Sequence, residues 1–272
     1  MHVIVLAVKY WVGCSGYSYN DWIGRFYPSN IEKKDMLDYY IQKFNTVEIN
    51  STFYQIPERR TVGYWASRAP PYFKYSIKFY QGITHERKLY HTRPIINKFF
   101  AVLQPLIARN KIAVFLIQLP ASIGKNLPRL ESFINELPKG FKYAIEFRHH
   151  SWLTDDTFQL LDRYDIGYVI VDEPHLPPII KITSDFAYIR FHGRGRKVWY
   201  FYYYSEEELK PWAEKVRKEI EPNVQEIYIY FNNHFRAYAP KNASQFIKLL
   251  GLNIEDLVPI EGRQSSLWEF TR

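Results

Sequence analysis

Short apolar runs alternate with longer amphipathic stretches along this chain. The apolar runs cover residues 10–12, 46–47, 73–77, 113–117, 143–145, 168–171, 187–189 and 227–230. Each is brief, rich in β-branched or aromatic residues and bounded by polar ones, which predicts strands. Between them, apolar residues recur at helical spacing. Met36, Leu37, Tyr40, Ile41 and Phe44 share one face, as do Leu130, Phe133, Ile134 and Leu137. Ile96, Phe99, Phe100, Leu103 and Leu106 form another, with Pro105 expected to kink or split that helix. Thr154 is placed to cap a helix running through Tyr164. Ser205 with Glu208 forms a capping box ahead of Leu209, Trp212, Val216 and Ile220. Phe246, Ile247 and Leu250 make the last face, with Gly251 as its C-cap. Pro174, Pro177 and Pro178 interrupt the crossover between the sixth and seventh runs, so a loop or very short helix is expected there.

Eight strand-like runs, most followed by a helical pattern, predict an α/β fold: a TIM-like (β/α)8 barrel in one domain over residues 1–260. The helix between strands 6 and 7 is weak or missing, and an extended tail covers 261–272. A length of 272 residues suits one such barrel, and 47% hydrophobic residues can fill its core. The apolar run at 2–8 is too short to span a membrane and reads as an added strand or barrel plug.

The runs share a second feature, in that polar residues gather at their C-terminal ends, where barrels of this kind place their chemistry. The fifth run leads into Glu146, Arg148, His149 and His150 within five residues. The other ends supply Ser15, Glu48, Asn50, Lys78, Gln118, Asp172, Arg190, His192, Asn232 and Asn233. Glu48, Glu146, Asp172, His149 and His192 are the candidate catalytic groups. Asn50, Lys78, Gln118, Arg148, Arg190, Arg194 and Asn232 are candidates for holding a phosphate or carboxylate by charge-assisted hydrogen bonds. The acids and imidazoles also suit a divalent metal ion, but no short-range ligand motif is present and Arg148 and Lys78 are poor neighbours for a cation. The metal question therefore stays open.

A net charge of +8 favours anionic partners, nucleic acid among them. The segment 192–204 interleaves Arg194, Arg196 and Lys197 with Trp199, Tyr200 and Tyr202. It reads either as a grip for a nucleic-acid backbone with stacked bases, or as a loop whose aromatics pack onto the rim. The single cysteine, Cys14, excludes an internal disulfide and suits a cytoplasmic setting. In the tail, Gln264, Leu267 and Phe270 match the spacing of a short sliding-clamp-binding motif, while Thr271 departs from it.

The strings VGCSGYSYNDWIGRFYP, VEINSTFYQIP, FKYSIKFYQGITH, QLPASI, IEFRHHSW, IRFHGR and FNNH resemble the YecE-like family, whose function is unknown. The resemblance spans about residues 10–250. It implies a TIM-like barrel with a rim site at Glu48, Asn50, Lys78, Glu146, Arg148, His149, Asp172, Arg190, His192 and Asn232. That barrel is similar to endonuclease IV, a metal-dependent enzyme acting on abasic DNA, a likeness of fold only. This chain has fewer histidines and more Arg and Lys at its strand ends, which speaks against a three-metal site. The functional expectation is a nucleic-acid-associated barrel, DNA rather than RNA, acting as a phosphodiesterase in repair and recruited by a clamp. Two alternatives stand beside it: a non-enzymatic DNA- or clamp-binding module, and an enzyme of small phosphorylated or sugar-like ligands.

Overall fold

A computed structural model describes residues 7–195 and 198–259. Eight parallel strands close into a barrel in sequence order: β1 (Lys9–Ser15), β2 (Thr46–Ile49), β3 (Lys74–Lys78), β4 (Ile112–Leu119), β5 (Lys142–Phe147), β6 (Gly167–Asp172), β7 (Phe186–Phe191) and β8 (Glu226–Phe231). Seven of the eight predicted runs lie within these strands, and the third, 73–77, begins one residue ahead of β3. β1 pairs with β8 from Lys9↔Glu226 to Cys14↔Phe231 and with β2 from Gly13↔Thr46, which shuts the barrel.

Side chains of a strand point alternately to its two faces. Here one face fills the barrel and the other meets the helices. Trp11, Val114, Leu116, Ala144, Val169, Val171, Phe186, Tyr188, Tyr228 and Tyr230 pack together inside. Val47, Ile77, Phe115, Ile145, Ile170, Ile189 and Phe231 pack outward into the helical layer. The interior is tied by hydroxyls: Tyr230 OH lies 2.8 Å from Thr46 Oγ1 and 2.7 Å from Ser76 Oγ. These tyrosines form a solid plug beneath the C-terminal rim.

The outer helices are α1 (Met36–Ile41), α2 (Ser51–Tyr54), α3 (Arg59–Arg68), α4 (Arg93–Ile107), α5 (Leu127–Ile134), α6 (Asp155–Arg163), α7 (Glu206–Lys215), α8 (Tyr238–Leu249) and α9 (Ile254–Leu257). No helix lies between β6 and β7, as the prolines predict. The Ser205–Glu208 capping box is formed. Gly251 turns the chain after α8 with φ +77°. Pro105 does not split α4: it falls in the last turn and deprives only the Ala101 carbonyl of a partner. Arg59 Nη1 donates to that carbonyl at 3.3 Å instead. Thr154 is the N-cap of α6, as expected, with its hydroxyl facing Thr157 Oγ1 at 3.0 Å rather than a helix amide; Asp156 Oδ1 accepts from Thr157 N at 2.9 Å. The run 2–8 falls mostly outside the described residues, which hold no helix long and apolar enough to cross a membrane.

Candidate functional site

The inward register of each strand carries polar residues up to the C-terminal rim. Ser15, Glu48, Glu146, Arg190 and His192 are buried there. Arg190 occupies the centre. Its Nη2 donates to Glu48 Oε1 at 2.7 Å, and its Nη1 donates to Glu146 Oε2. Glu48 also accepts from Ser15 Oγ and from Tyr188 OH, each at 2.7 Å. Arg148, one strand position beyond Glu146 on the same face, pairs with Glu146 Oε1 and Glu173 Oε2. The Arg148–Glu146 contact is an ion pair without hydrogen-bond alignment, which leaves Glu146 Oε1 and Arg148 Nε free of hydrogen-bond partners. Such a buried chain of alternating charges holds only while each member keeps its neighbours.

These contacts set the protonation states. Burial pushes the Glu146 carboxyl up, but Arg148, Arg190 and His192 hold it well below the ordinary value. Burial, with Arg148 and Arg190 close by, brings His192 down to about 3, so its ring is neutral. A guanidinium only donates, and Arg148 Nη2 lies 2.9 Å from His192 Nε2. Asn232 Nδ2 lies 3.0 Å from the other ring nitrogen, Nδ1, so the ring is held between the guanidinium and the amide. Lys78 differs from the arginines. Among the described residues no carboxylate pairs with it, and its ammonium lies 4.1 Å from the centre of the Phe53 ring. Burial, then Arg190, lowers it to about 7 despite Glu146 and Glu48.

Above this network opens a cavity of about 500 Å³. Lys78, Gln118, Arg148, Arg190, His192, Asn232 and Asn50 line it, together with Tyr17, Tyr19, Tyr54, Trp65, Tyr200 and His234. The His234 ring stacks between Tyr19, at 4.7 Å, and Tyr200, at 4.4 Å. Glu48, Glu146 and Glu173 sit behind the guanidiniums and do not line the cavity.

The structure thus gathers most of the candidate residues and sets three apart. Asp172 belongs to the outward face of β6. Its oxygens accept from Tyr204 OH and Trp212 Nε1, both at 2.8 Å, and from Arg194. Arg194 is turned out by the bend at Gly193, whose φ is +87° and whose added Cβ would lie 2.2 Å from the Trp199 carbonyl oxygen. His149 serves its own turn: its Nδ1 accepts from Ser151 N at 3.2 Å, and its ring stacks on His150. Asp172, Arg194 and His149 therefore do not meet the cavity. Sequence reasoning finds Tyr200 through its basic–aromatic segment but misses Glu173, the residue after Asp172, and the other tyrosines and His234 carry no signal beyond composition. Of the 192–204 segment, Arg196 and Lys197 lie outside the described residues; Trp199 packs beside Arg148, 5.3 Å from its guanidinium, and Tyr204 is buried. Gln264, Leu267 and Phe270 also lie outside the described residues. Among the described residues, no group of three or more His, Cys, Asp or Glu is placed to hold a metal ion. The donor set agrees, since the rim acids are engaged by arginines.

A family model described as "Protein of unknown function DUF72" matches residues 11–265. The chain belongs to the DUF72 family. UPF0759 protein YunF of Bacillus subtilis is 26% identical over 92% of this chain and 97% of its own length. UPF0759 protein YecE of Escherichia coli K12 is 35% identical over 42% of this chain and 41% of its own length, in keeping with the YecE-like resemblance. Among solved structures, a DUF72 protein of Thermotoga maritima superposes with TM-score 0.81 at 34% identity, covering 89% of this chain and 99% of its own. One from Enterococcus faecalis gives 0.78 at 26% identity, covering 90% and 96%. The DUF72 barrel is thus shared across the matched length.

Proposed function

We propose that the rim cavity binds a small anionic ligand, a phosphorylated or carboxylated compound with a ring or several hydroxyls. One observation carries this reading: two guanidiniums, Arg148 and Arg190, and the Lys78 amine line the cavity, and no carboxylate among the described residues does. The acids lie behind and hold the guanidiniums still, so an incoming anion meets donors that need little reorganisation. Gln118 and Asn232 add amides, and the aromatic wall suits the flat face of a sugar or base. With the acids so engaged, metal-dependent hydrolysis at this rim finds less support than anion recognition. Calorimetric titration with inorganic phosphate tests the reading. Binding is expected, weakening as salt rises, and Lys78→Met is expected to weaken it about tenfold, or ~1.4 kcal/mol. Absence of saturable binding at low salt overturns it.

A second reading keeps the link to nucleic acid. Tyr54 is 70% exposed and Tyr200 is 37% exposed, and both line the cavity. Bases next to a terminal phosphate held inside would have faces to stack on. A 5′-phosphorylated oligonucleotide binding more tightly than inorganic phosphate, and less so for Tyr200→Ala, would support it; equal affinities would remove it.

A further inference from the structure

We infer that the Lys78 amine is a nucleophile that forms an imine with the carbonyl carbon of the cavity's ligand, making that ligand an aldehyde or ketone bearing an anionic group. The inference deepens the anion-binding reading and rests on it for the ligand's charged end.

The geometry singles out this amine. Lys78 ends β3 on the inward face and lines the cavity. Thr52 Oγ1 donates to the Lys78 carbonyl at 2.7 Å, which fastens α2 to the end of β3 and sets the Phe53 ring against the amine. His85 meets the same ring edge-on, 4.8 Å away, and is itself fixed 2.8 Å from Thr84 Oγ1. The amine thus has an aromatic face on one side and the cavity on the other. A lysine kept only for structure at a barrel rim is normally paired with an acid; this one is not, although Glu48 and Glu146 lie near enough to be felt. Arg190 engages both instead.

The charged groups around it favour the neutral amine. Arg190 of β7 and Arg148 of β5 oppose its protonation, Glu146 of β5 and Glu48 of β2 favour it, and burial outweighs them, so it titrates at about 7. His85 feels the lysine and is itself lowered, first by burial. A neutral lysine amine at physiological pH is what imine formation requires.

The reaction balances with the groups present. The amine lone pair attacks the carbonyl carbon, and the carbonyl π electrons move to oxygen, where Arg148, Arg190 or Gln118 can donate to the developing charge. Nitrogen gives up a proton, oxygen gains one, and the carbinolamine results. Protonation of its hydroxyl releases water as the nitrogen lone pair closes the C=N bond, and the resulting iminium gives back a proton from nitrogen in place of the one consumed. One amine and one carbonyl thus become one imine and one water, with no oxidant or reductant. Asn50 Oδ1, buried in the same wall without a hydrogen-bond partner, is placed to accept from a ligand hydroxyl.

Reductive trapping tests this. The full chain is incubated with glycolaldehyde phosphate or with neutral glycolaldehyde and sodium cyanoborohydride, then mapped by peptide mass spectrometry. The reductant delivers hydride to the imine carbon, leaving a secondary amine that carries the aldehyde's atoms less one oxygen. At pH 7 and short times, Lys78 is expected to be modified at least tenfold more than any other lysine. Its rate should rise between pH 6 and 8 and then level, whereas surface lysines keep rising. Lys78→Met, checked for an unchanged cooperative melt, should abolish the preferred adduct. Modification spread evenly, or a Lys78 rate that tracks the surface lysines, overturns the inference. Phosphate competition separates the two readings. If phosphate binds but Lys78 is not preferred, the imine fails and the anion site stands. If phosphate neither binds nor competes while glycolaldehyde traps Lys78, the anion reading fails and the imine stands.

Discussion

Arg190 and Glu48 are 142 residues apart in the chain and meet at 2.7 Å inside the barrel, Nη2 to Oε1. The same guanidinium holds Glu146, so one side chain of β7 joins β2 to β5 across the barrel. Removing it strands two buried carboxylates. Arg190→Met is therefore expected to destabilise the fold by about 3–5 kcal/mol, although the replacement is apolar and fits the site. Changing Glu48 and Glu146 to Gln in the same chain is expected to recover part of that loss. Urea denaturation of the single and combined variants measures it, and a loss under about 1 kcal/mol for Arg190→Met would show the bridge to be dispensable.

Asp172 is expected to matter to stability and not to binding. Its carboxylate collects Tyr204, Trp212 and Arg194 in the layer outside β6. Asp172→Asn keeps the shape, but its amide nitrogen must face donors. A cost of about 1–3 kcal/mol follows from the partners left unmatched. Phosphate affinity should stay within about twofold of the wild-type chain. A selective loss of phosphate binding without loss of stability would reconnect Asp172 to the cavity.

Asp172 also shows what the sequence made legible. Eight apolar runs announced the barrel, and their polar ends announced the rim, since both signals are local. Which polar residue at an end faces inward depends on the strand's register, where a single step reverses the face. On β6, Val169 and Val171 pack inside, so the inward register continues to Glu173 and not to Asp172. Glu48, Glu146 and Arg190 keep inward register along their strands, and Arg148 and His192 continue it one residue past the strand ends. Parity was readable in principle, but β6 is apolar on both faces and offered no contrast to fix it. Arg194 and His149 lie past the strand ends, where a glycine bend and a tight turn set direction. The aromatic wall came from segments distant in sequence, Tyr19, Tyr200 and His234, and no local pattern links them.

Lys78 gives a pH prediction with a definite sign. The folded protein holds this amine at about 7, against 10.5 for an ordinary lysine. Below pH 7 both folded and unfolded chains carry the proton, and the fold bears the full cost of a buried charge. Between 7 and 10.5 the unfolded chain binds a proton that the folded chain lacks, so stability rises with pH across that window. Burial, Arg190, Glu146, Glu48 and Arg148 set the value, and His85 stands close enough to feel the lysine. Lys78→Met removes the cost, so its gain in Tm should be largest below pH 7 and shrink steadily above it. A gain that does not change with pH would mean that the ammonium is not desolvated.

The cavity's preference for anions can be reversed at one position. Gln118 ends the inward face of β4 and lines the cavity beside Lys78, Arg148 and Arg190, half-buried and neutral. Gln118→Glu keeps the side chain's size and adds a negative charge within the wall. It should repel phosphate directly, and it should favour the protonated form of Lys78, since a nearby carboxylate stabilises an ammonium. Both effects have measurable consequences. Phosphate affinity is expected to fall roughly tenfold, equivalent to ~1.4 kcal/mol. The pH at which reductive trapping of Lys78 reaches half its limiting rate should move upward, with thermal stability held or improved. Unchanged phosphate affinity together with an unchanged trapping profile would place Gln118 too far from both the anion and the amine to share one ligand with them.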